Sequence, residues 1–314
     1  MTDLRIVFMG TPDFAVGTLK ALLENKCNVV GVITAPDRPA GRGRRLNESA
    51  VKKYALANNL TILQPTNLKN EAFLKTLREL NANLQIIVAF RMLPKIVWNM
   101  PEFGTFNLHA SLLPAYRGAA PINWAIINGE KETGVTTFFI DEKIDTGNII
   151  KQEHLKIGKN ETAGELHDRL MDLGSKLVIA TVHQIAEGTI ETIKQPEIEE
   201  KEAPKIFKET CRINWQDSLK NINNKIRGLS PYPAAWTLLQ NGNHNIELKI
   251  YRASKQKETH EYAIGTIITT KKELKIAVTK GYIHITELQL AGKKKMSTHD
   301  LLNGFNFHEN AKVL

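Results

Sequence analysis

Leu84-Gln85-Ile86-Ile87-Val88-Ala89-Phe90 is the most continuous apolar strand candidate in the chain. A strand without polar alternation is covered on both faces, and such strands belong to parallel sheets sandwiched between helices. The run is also far too short to span a bilayer, so no membrane segment is read from it. Working back towards the N-terminus, Leu4–Met9 is a short apolar run that ends in Gly10-Thr11-Pro12-Asp13 and precedes an amphipathic stretch. That order reads as strand, loop, helix. Val29–Thr34 is a second strand, followed by 35–45 as a loop rich in Pro, Gly and Arg. Ser49–Asn58 is helical, Thr61–Leu63 a short strand and Lys69–Leu80 helical again. Downstream, Thr105–Ala110 and Gly134–Ile140 are further strands. Leu166, Leu170, Leu173 and Leu177 keep helical spacing within 163–187. The alternation predicts an α/β domain with a doubly wound, mostly parallel, Rossmann-like sheet.

The pattern changes after this helix. Residues 190–207 carry Pro196, Pro204 and the acids Glu197, Glu199, Glu200 and Glu202, and read as an interdomain linker. Beyond Leu238 short strands dominate: Ile246–Tyr251, Ala263–Thr269, Leu274–Thr279 and Tyr282–Leu288. They predict a small antiparallel, OB-like β-barrel. The expected organisation is therefore an α/β domain over 1–189, a linker over 190–207 and a barrel over 208–314, which suits a chain of 314 residues. Pro231-Tyr232-Pro233 and Trp236 read as core of the second domain.

Charge is uneven. Residues 209–314 hold 16 Lys and Arg against 9 Asp and Glu, whereas residues 1–208 hold 26 against 24. A basic C-terminal third suits a polyanionic partner, nucleic acid first, although a lysine-rich solvated surface has the same composition. Two cysteines without C-x-x-C spacing argue against a disulfide framework or a zinc site, and Asp3 and Arg5 interrupt any signal-peptide h-region. A cytoplasmic protein is the expectation, and no interface pattern suggests more than a monomer.

Gly10-Thr11-Pro12 follows the first strand but lacks the G-x-G-x-x-G spacing and a P-loop lysine, so NAD and ATP are poorly supported. The informative segment runs Asn107-Leu108-His109-Ala110-Ser111-Leu112-Leu113-Pro114, then Tyr116-Arg117-Gly118-Ala119-Ala120-Pro121. Alternate strand positions share a face, which puts Asn107 and His109 together at the carboxyl end of a sheet strand. An amide beside an imidazole suits a carbonyl that becomes an oxyanion. From those two residues alone a structural histidine is the better reading, and Ser111 has no G-x-S-x-G elbow to make it a nucleophile. Asp145-Thr146-Gly147 supplies an acid that could orient the imidazole, or an ordinary Asx turn.

Taken together, the run from His109 to Pro121, Gly129-Glu130, Thr133-Gly134-Val135-Thr136 and Asp145-Thr146-Gly147 resembles the folate-dependent formyltransferases. The resemblance extends to Gly10-Thr11-Pro12-Asp13-Phe14, to Pro36-Asp37-Arg38-Pro39-Ala40-Gly41-Arg42-Gly43, to Lys208-Glu209-Thr210, to Ile213-Asn214-Trp215 and to the stretch 226–233. Those segments are similar to the family members that formylate methionyl-tRNA. The resemblance implies 10-formyltetrahydrofolate as cosubstrate, initiator methionyl-tRNA as partner, and no metal. It implies Asn107, His109 and Asp145 as the catalytic trio. Ser111, Leu112, Leu113, Pro114 and Phe90 would form the folate site, and Arg38, Arg42, Arg44 and Arg45 the tRNA contact. Phe90-Arg91-Met92 departs from the Tyr-Gly pair more usual in the family; Arg91 is expected to point into water. The competing readings are a formyltransferase acting on an amino-sugar nucleotide and a noncatalytic RNA-binding protein on the same scaffold.

Overall fold

A computed structural model describes residues 3–40, 45–196 and 201–314 of the chain. Two compact units interleave along the sequence: 1–118, 133–155 and 167–202 form the first, and 119–132, 156–166 and 203–314 the second. In chain order to residue 187 the elements are β1 (Arg5–Gly10), α1 (Asp13–Glu24), β2 (Asn28–Ile33), β3 (Arg38–Ala40), β4 (Arg45–Asn47), α2 (Ala50–Ala57), β5 (Ile62–Leu63), α3 (Glu71–Glu79), β6 (Leu84–Val88), the one-turn α4 (Lys95–Trp98), β7 (Thr105–His109), α5 (Pro121–Ile127), β8 (Glu132–Phe139), β9 (Ile149–Lys156) and α6 (Ala163–Glu187).

The first unit has one seven-stranded sheet in the order β5-β2-β1-β6-β7-β8-β9. Its β1/β2, β2/β5, β1/β6 and β6/β7 pairs are parallel, and β8 runs antiparallel to β7. The expected doubly wound, mostly parallel sheet is thus present. After β1 the chain builds outward through β2 and β5, then returns to the other side as β6. The strand order therefore reverses between β1 and β6, where open α/β sheets bind their ligands at the carboxyl ends of the strands. All five residues of β6 are buried, as the unbroken apolar run predicts. The strand stops at Val88 rather than Phe90 because Ala89 takes φ 48°, a left-handed turn that leaves the ladder.

Two further segments differ from the sequence reading. Part of the expected loop over 35–45 is a two-stranded antiparallel ribbon, with Arg38 opposite Asn47 and Ala40 opposite Arg45. Arg42 and Arg44 lie outside the described residues. The edge strand β9 was not expected, because only Ile149 and Ile150 of its eight residues are buried and the rest, Leu155 apart, read as polar. Beside β9, Ile193 and Ile149 exchange two backbone hydrogen bonds of 2.8 Å, so the start of the 190–207 stretch is paired chain.

The second unit continues with α7 (Leu219–Gly228), β10 (Ala235–Asn241), β11 (His244–Lys257), β12 (Ile267–Thr269), β13 (Leu274–Val278), β14 (Gly281–Leu290), β15 (Met296–Ser297), α8 (Thr298–Leu302) and β16 (Lys312–Val313). Its antiparallel sheet runs β12-β13-β14-β11-β10-β16, and Thr266 bridges Lys312 to bring the two ends almost to closure. Near-closure leaves little exposed strand edge. Ser218 caps α7 by accepting from the Asn221 amide, and Ile222 and Ile226 of that helix pack into the barrel core with Trp215, Leu239 and Ile276. Tyr232 corrects the core assignment: it is 84% exposed. Trp236 is half-buried against the core, with the Lys208 and Arg212 cations over its ring. Among the described residues no helix is long and apolar enough to cross a membrane. Cys27 and Cys211 are free thiols.

Candidate active site

Strand β7 holds Phe106 and Leu108 in the interior and presents Asn107 and His109 together, the alternation that its pleat imposes. Its hydrogen-bonded neighbours fix the register: Asn107 lies opposite Ile87 of β6 and Phe138 of β8, and His109 opposite Thr136.

His109 is buried and held at Nε2. Nε2 lies 2.8 Å from the Tyr116 carbonyl oxygen. A carbonyl only accepts, so Nε2 carries the proton and Nδ1 is the lone-pair nitrogen of the neutral ring. Nδ1 faces Asp145 Oδ2 at 3.8 Å, beyond hydrogen-bonding distance. The tautomer is therefore set by Tyr116, and the carboxylate stands where it would stabilise a proton arriving on Nδ1. From sequence Asp145 was the residue that could orient the ring; the Tyr116 carbonyl could not be foreseen, because it depends on a turn in which Tyr116 takes φ 61°.

Asp145 is mostly buried and is not at a strand end but in the β8–β9 loop, with φ 56°. Its Oδ2 accepts from the Gly118 amide at 3.0 Å. Its backbone carbonyl and that of Gly147 accept from Gln195 Nε2 at 2.9 and 2.8 Å. Gln195 is 6% exposed, and its Oε1 accepts from Arg117 Nε and Nη2 at 3.2 and 2.7 Å. Gly147 must be glycine, since a Cβ there would lie 1.7 Å from the Phe139 carbonyl oxygen. Asn107 contrasts with these neighbours: its Oδ1 is buried and has no hydrogen-bond partner among the described residues. Unpartnered buried polar atoms are costly, and the site of a ligand is one place where they persist.

The segment 111–114 is fastened by Thr136. That hydroxyl donates to the Ser111 carbonyl at 2.7 Å and accepts from the Leu113 amide and from Gln152 Nε2. Gln152 Nε2 also donates to the Leu113 carbonyl. Ser111 Oγ is spent on the Ala115 carbonyl at 2.6 Å, so its side chain serves the loop. Leu113 and Pro114 are buried, Leu113 against Phe138 and Ile149. Leu112 is half-buried and lies over Gly134, where a Cβ would meet its Cδ2 at 2.5 Å. Phe90 packs on a different cluster, with Val7, Met9, Ile33 and Phe73. Ile140, just past the end of β8, touches both clusters and was not singled out from sequence. Arg91 is exposed, but its guanidinium donates to the carbonyls of Thr66, at 3.0 Å, and Pro65 instead of only to water.

Arg38 is exposed at the start of the β3–β4 ribbon. The one acid of this stretch, Asp37, bonds Lys52 Nζ and Gln64 Nε2. The Lys52 hydrogen bond, then that from Gln64, holds its carboxyl below the usual carboxylate range.

A family profile described as formyl transferase matches residues 4–182, and one described as formyl transferase, C-terminal domain, matches residues 205–306. A methionyl-tRNA formyltransferase of Flavobacterium johnsoniae is 60% identical over 314 residues, covering all of both chains. One of Bacteroides thetaiotaomicron is 54% identical over 317 residues, covering 99% of this chain and 98% of the relative. Among solved structures, a sugar 3N-formyl transferase crystallised in the presence of dTDP and 5-N-formyl-THF shares the fold with a TM-score of 0.64. It is 24% identical and covers 94% of this chain and 100% of that one.

Proposed function

Because the chain belongs to the formyl transferase family, among the methionyl-tRNA formyltransferases, we propose that it transfers the formyl group of 10-formyltetrahydrofolate to the amino group of initiator methionyl-tRNA, giving N-formylmethionyl-tRNA for translation initiation. The observation that carries the chemistry is a buried imidazole with a defined tautomer, beside a carboxylate, on the same strand face as an unpartnered amide oxygen.

The amine nitrogen attacks the formyl carbon, a C–N bond forms, and the carbonyl oxygen takes up the electron pair. His109 Nδ1 accepts the proton released by that nitrogen, and the imidazolium then faces Asp145 Oδ2 across 3.8 Å. Collapse re-forms the carbonyl, the bond to the folate nitrogen breaks, and Nδ1 returns its proton to that leaving nitrogen. Asn107 would be satisfied only in the complex, by rotating its amide N–H to the developing oxyanion or by accepting from the incoming amine through Oδ1. No metal is assigned a step.

Folate binding falls to Leu112, Leu113, Pro114 and Phe90, with Ile140 joining the two apolar clusters, while Ser111 contributes by fixing its loop. Arg38, Arg42, Arg44 and Arg45 are proposed to contact tRNA phosphates, and the +7 balance of residues 209–314 would steer the same polyanion. We assign catalysis to 1–189, a connecting role to 190–207 and tRNA binding to 208–314, in a cytoplasmic monomer. An amino-sugar nucleotide is the rival acceptor, and near-full-length identity to relatives named for methionyl-tRNA argues against it.

The test is formyl transfer from 10-formyltetrahydrofolate to charged initiator methionyl-tRNA, to uncharged tRNA and to a UDP-amino sugar, with His109→Ala alongside. Formylation confined to the charged tRNA and lost in His109→Ala is the expected result. Formylation of the sugar instead would overturn the acceptor assignment while leaving the catalytic trio standing.

A further inference from the structure

We infer that Gln195 is a positioning residue for the catalytic acid, an inference that rests on the formyl-transfer reading above. The sequence gives it no prominence: it sits in a polar, acid-rich stretch whose composition suggests a tether. In the fold, however, its side chain is buried and every hydrogen-bonding atom of its amide is committed. Nε2 donates to the Asp145 and Gly147 carbonyls, one on each side of Thr146, and Oε1 accepts from Arg117.

This arrangement clamps the one segment that most needs it. Asp145 is a β-substituted residue in the left-handed region, a conformation that persists only where the surroundings over-determine it. Its carboxylate has a backbone donor at Gly118, next in sequence to the Arg117 that holds Gln195. Gln195 therefore ties together the two chain segments that fix the distance between His109 Nδ1 and Asp145 Oδ2: the 116–118 turn, which holds His109 through the Tyr116 carbonyl, and the 145–147 turn, which carries the acid. Gln195 itself is held in place because Ile193, two residues before it, pairs with Ile149 just beyond the 145–147 turn. Only a neutral amide fits. A carboxylate at this position would aim an acceptor at two carbonyl oxygens, and an apolar isostere would leave both carbonyls and the Arg117 guanidinium without this partner.

The experiment uses the full-length enzyme with Gln195→Met and Gln195→Glu, each made in the wild-type and in the Asp145→Asn background, measured for kcat, both KM values and Tm. The expected result is a fall in kcat on the order of tenfold to a hundredfold in the wild-type background, with KM for folate and tRNA within about twofold. In Asp145→Asn the same substitutions change the residual rate less than about threefold, because the group being positioned is already gone. Gln195→Glu should recover part of its loss as pH falls and the new carboxyl gains a proton to donate, whereas Gln195→Met should not. An undiminished kcat, a loss that appears in KM alone, or an equal loss in both backgrounds would overturn the inference. If the variants prove too unstable to assay directly, Arg117→Lys tests the same clamp from its other end, with the same dependence on Asp145 expected. A wild-type enzyme that formylates no methionyl-tRNA would instead defeat the functional reading itself.

Discussion

Gly147→Ala tests whether the position of the 145–147 turn limits the reaction. A Cβ on Gly147 would lie 1.7 Å from the Phe139 carbonyl oxygen, 2.9 Å from the Phe139 carbonyl carbon and 3.4 Å from that of Ile140. Real Cβ contacts essentially never fall below 3.0 Å, so the turn must withdraw by the difference, about 1.3 Å. Phe139 cannot yield instead. It is the last residue of β8, paired with Phe106 of β7, and its amide bonds the Asn148 carbonyl at 3.0 Å.

Because Gln195 holds the carbonyls of both Asp145 and Gly147, the turn moves as one piece and carries the Asp145 carboxylate away from His109. A misplacement of about 1 Å at a reacting group costs on the order of a hundredfold in rate. Overpacking should cost about 1–3 kcal/mol of stability as well, so the assay is run well below the Tm of the variant. Single-turnover formylation at saturating folate and charged tRNA reads the chemical step directly. Gly304→Ala, where nothing lies within 4 Å of the added methyl, is the control and should be silent. A folded Gly147→Ala enzyme with a rate within about threefold of wild type would refute the reasoning, since the acid would then tolerate displacement.

Two further outcomes are expected. Arg91→Ala removes donors to the Thr66 and Pro65 carbonyls at an exposed position, so stability should fall by about 0.5–1.5 kcal/mol with KM for folate unchanged; a selective rise in that KM would move Arg91 into the folate site. The Glu165 carboxylate is held at about 2 by the Thr162 amide first and by Arg252 next. A depressed folded value means stability present above the unfolded value of about 4.3 and lost as pH falls towards 2. Glu165→Gln should therefore flatten the acid limb of Tm between about pH 4.5 and 2, with a loss near neutrality of about 0.5–1 kcal/mol because the pair is nearly half exposed. Parallel Tm curves for variant and wild type would contradict this.

What the sequence made legible follows a physical division. Continuous burial on both faces wrote β6 into its composition, and helical leucine spacing marked α6, because both elements are decided by local pattern against a core. Asn107 and His109 were legible as a pair because a strand's pleat has only one period. Asp145 could be named but not located, since its loop conformation depends on a left-handed φ that no local rule assigns to aspartate. Gln195 and Ile140 were invisible for a different reason. Gln195 acts through contacts 48 and 50 residues away in sequence, and Ile140 matters only because two apolar clusters converge on it. β9 was missed because an edge strand with few buried residues has little hydrophobic signal to read.

The division of hydrogen bonds at the site carries the argument one step further. Around His109 and Asp145 the fold commits donor after donor to fixing geometry: Gly118 on the carboxylate, Gln195 on the turn, Nε2 of the imidazole on Tyr116. Two atoms stand apart from that saturation. Among the described residues His109 Nδ1 has no partner closer than the 3.8 Å contact to Asp145, and Asn107 Oδ1 has none. They belong to residues two apart on one strand face, about 6.6 Å along the backbone. Both atoms are acceptors, so what they can receive is N–H. That unmet valence suits the N–H groups of an incoming amine, whichever molecule carries it. Acceptor choice would then come from outside this pair, and the arginines of 38–45 and the basic second unit are where we propose that a tRNA and an amino sugar are told apart.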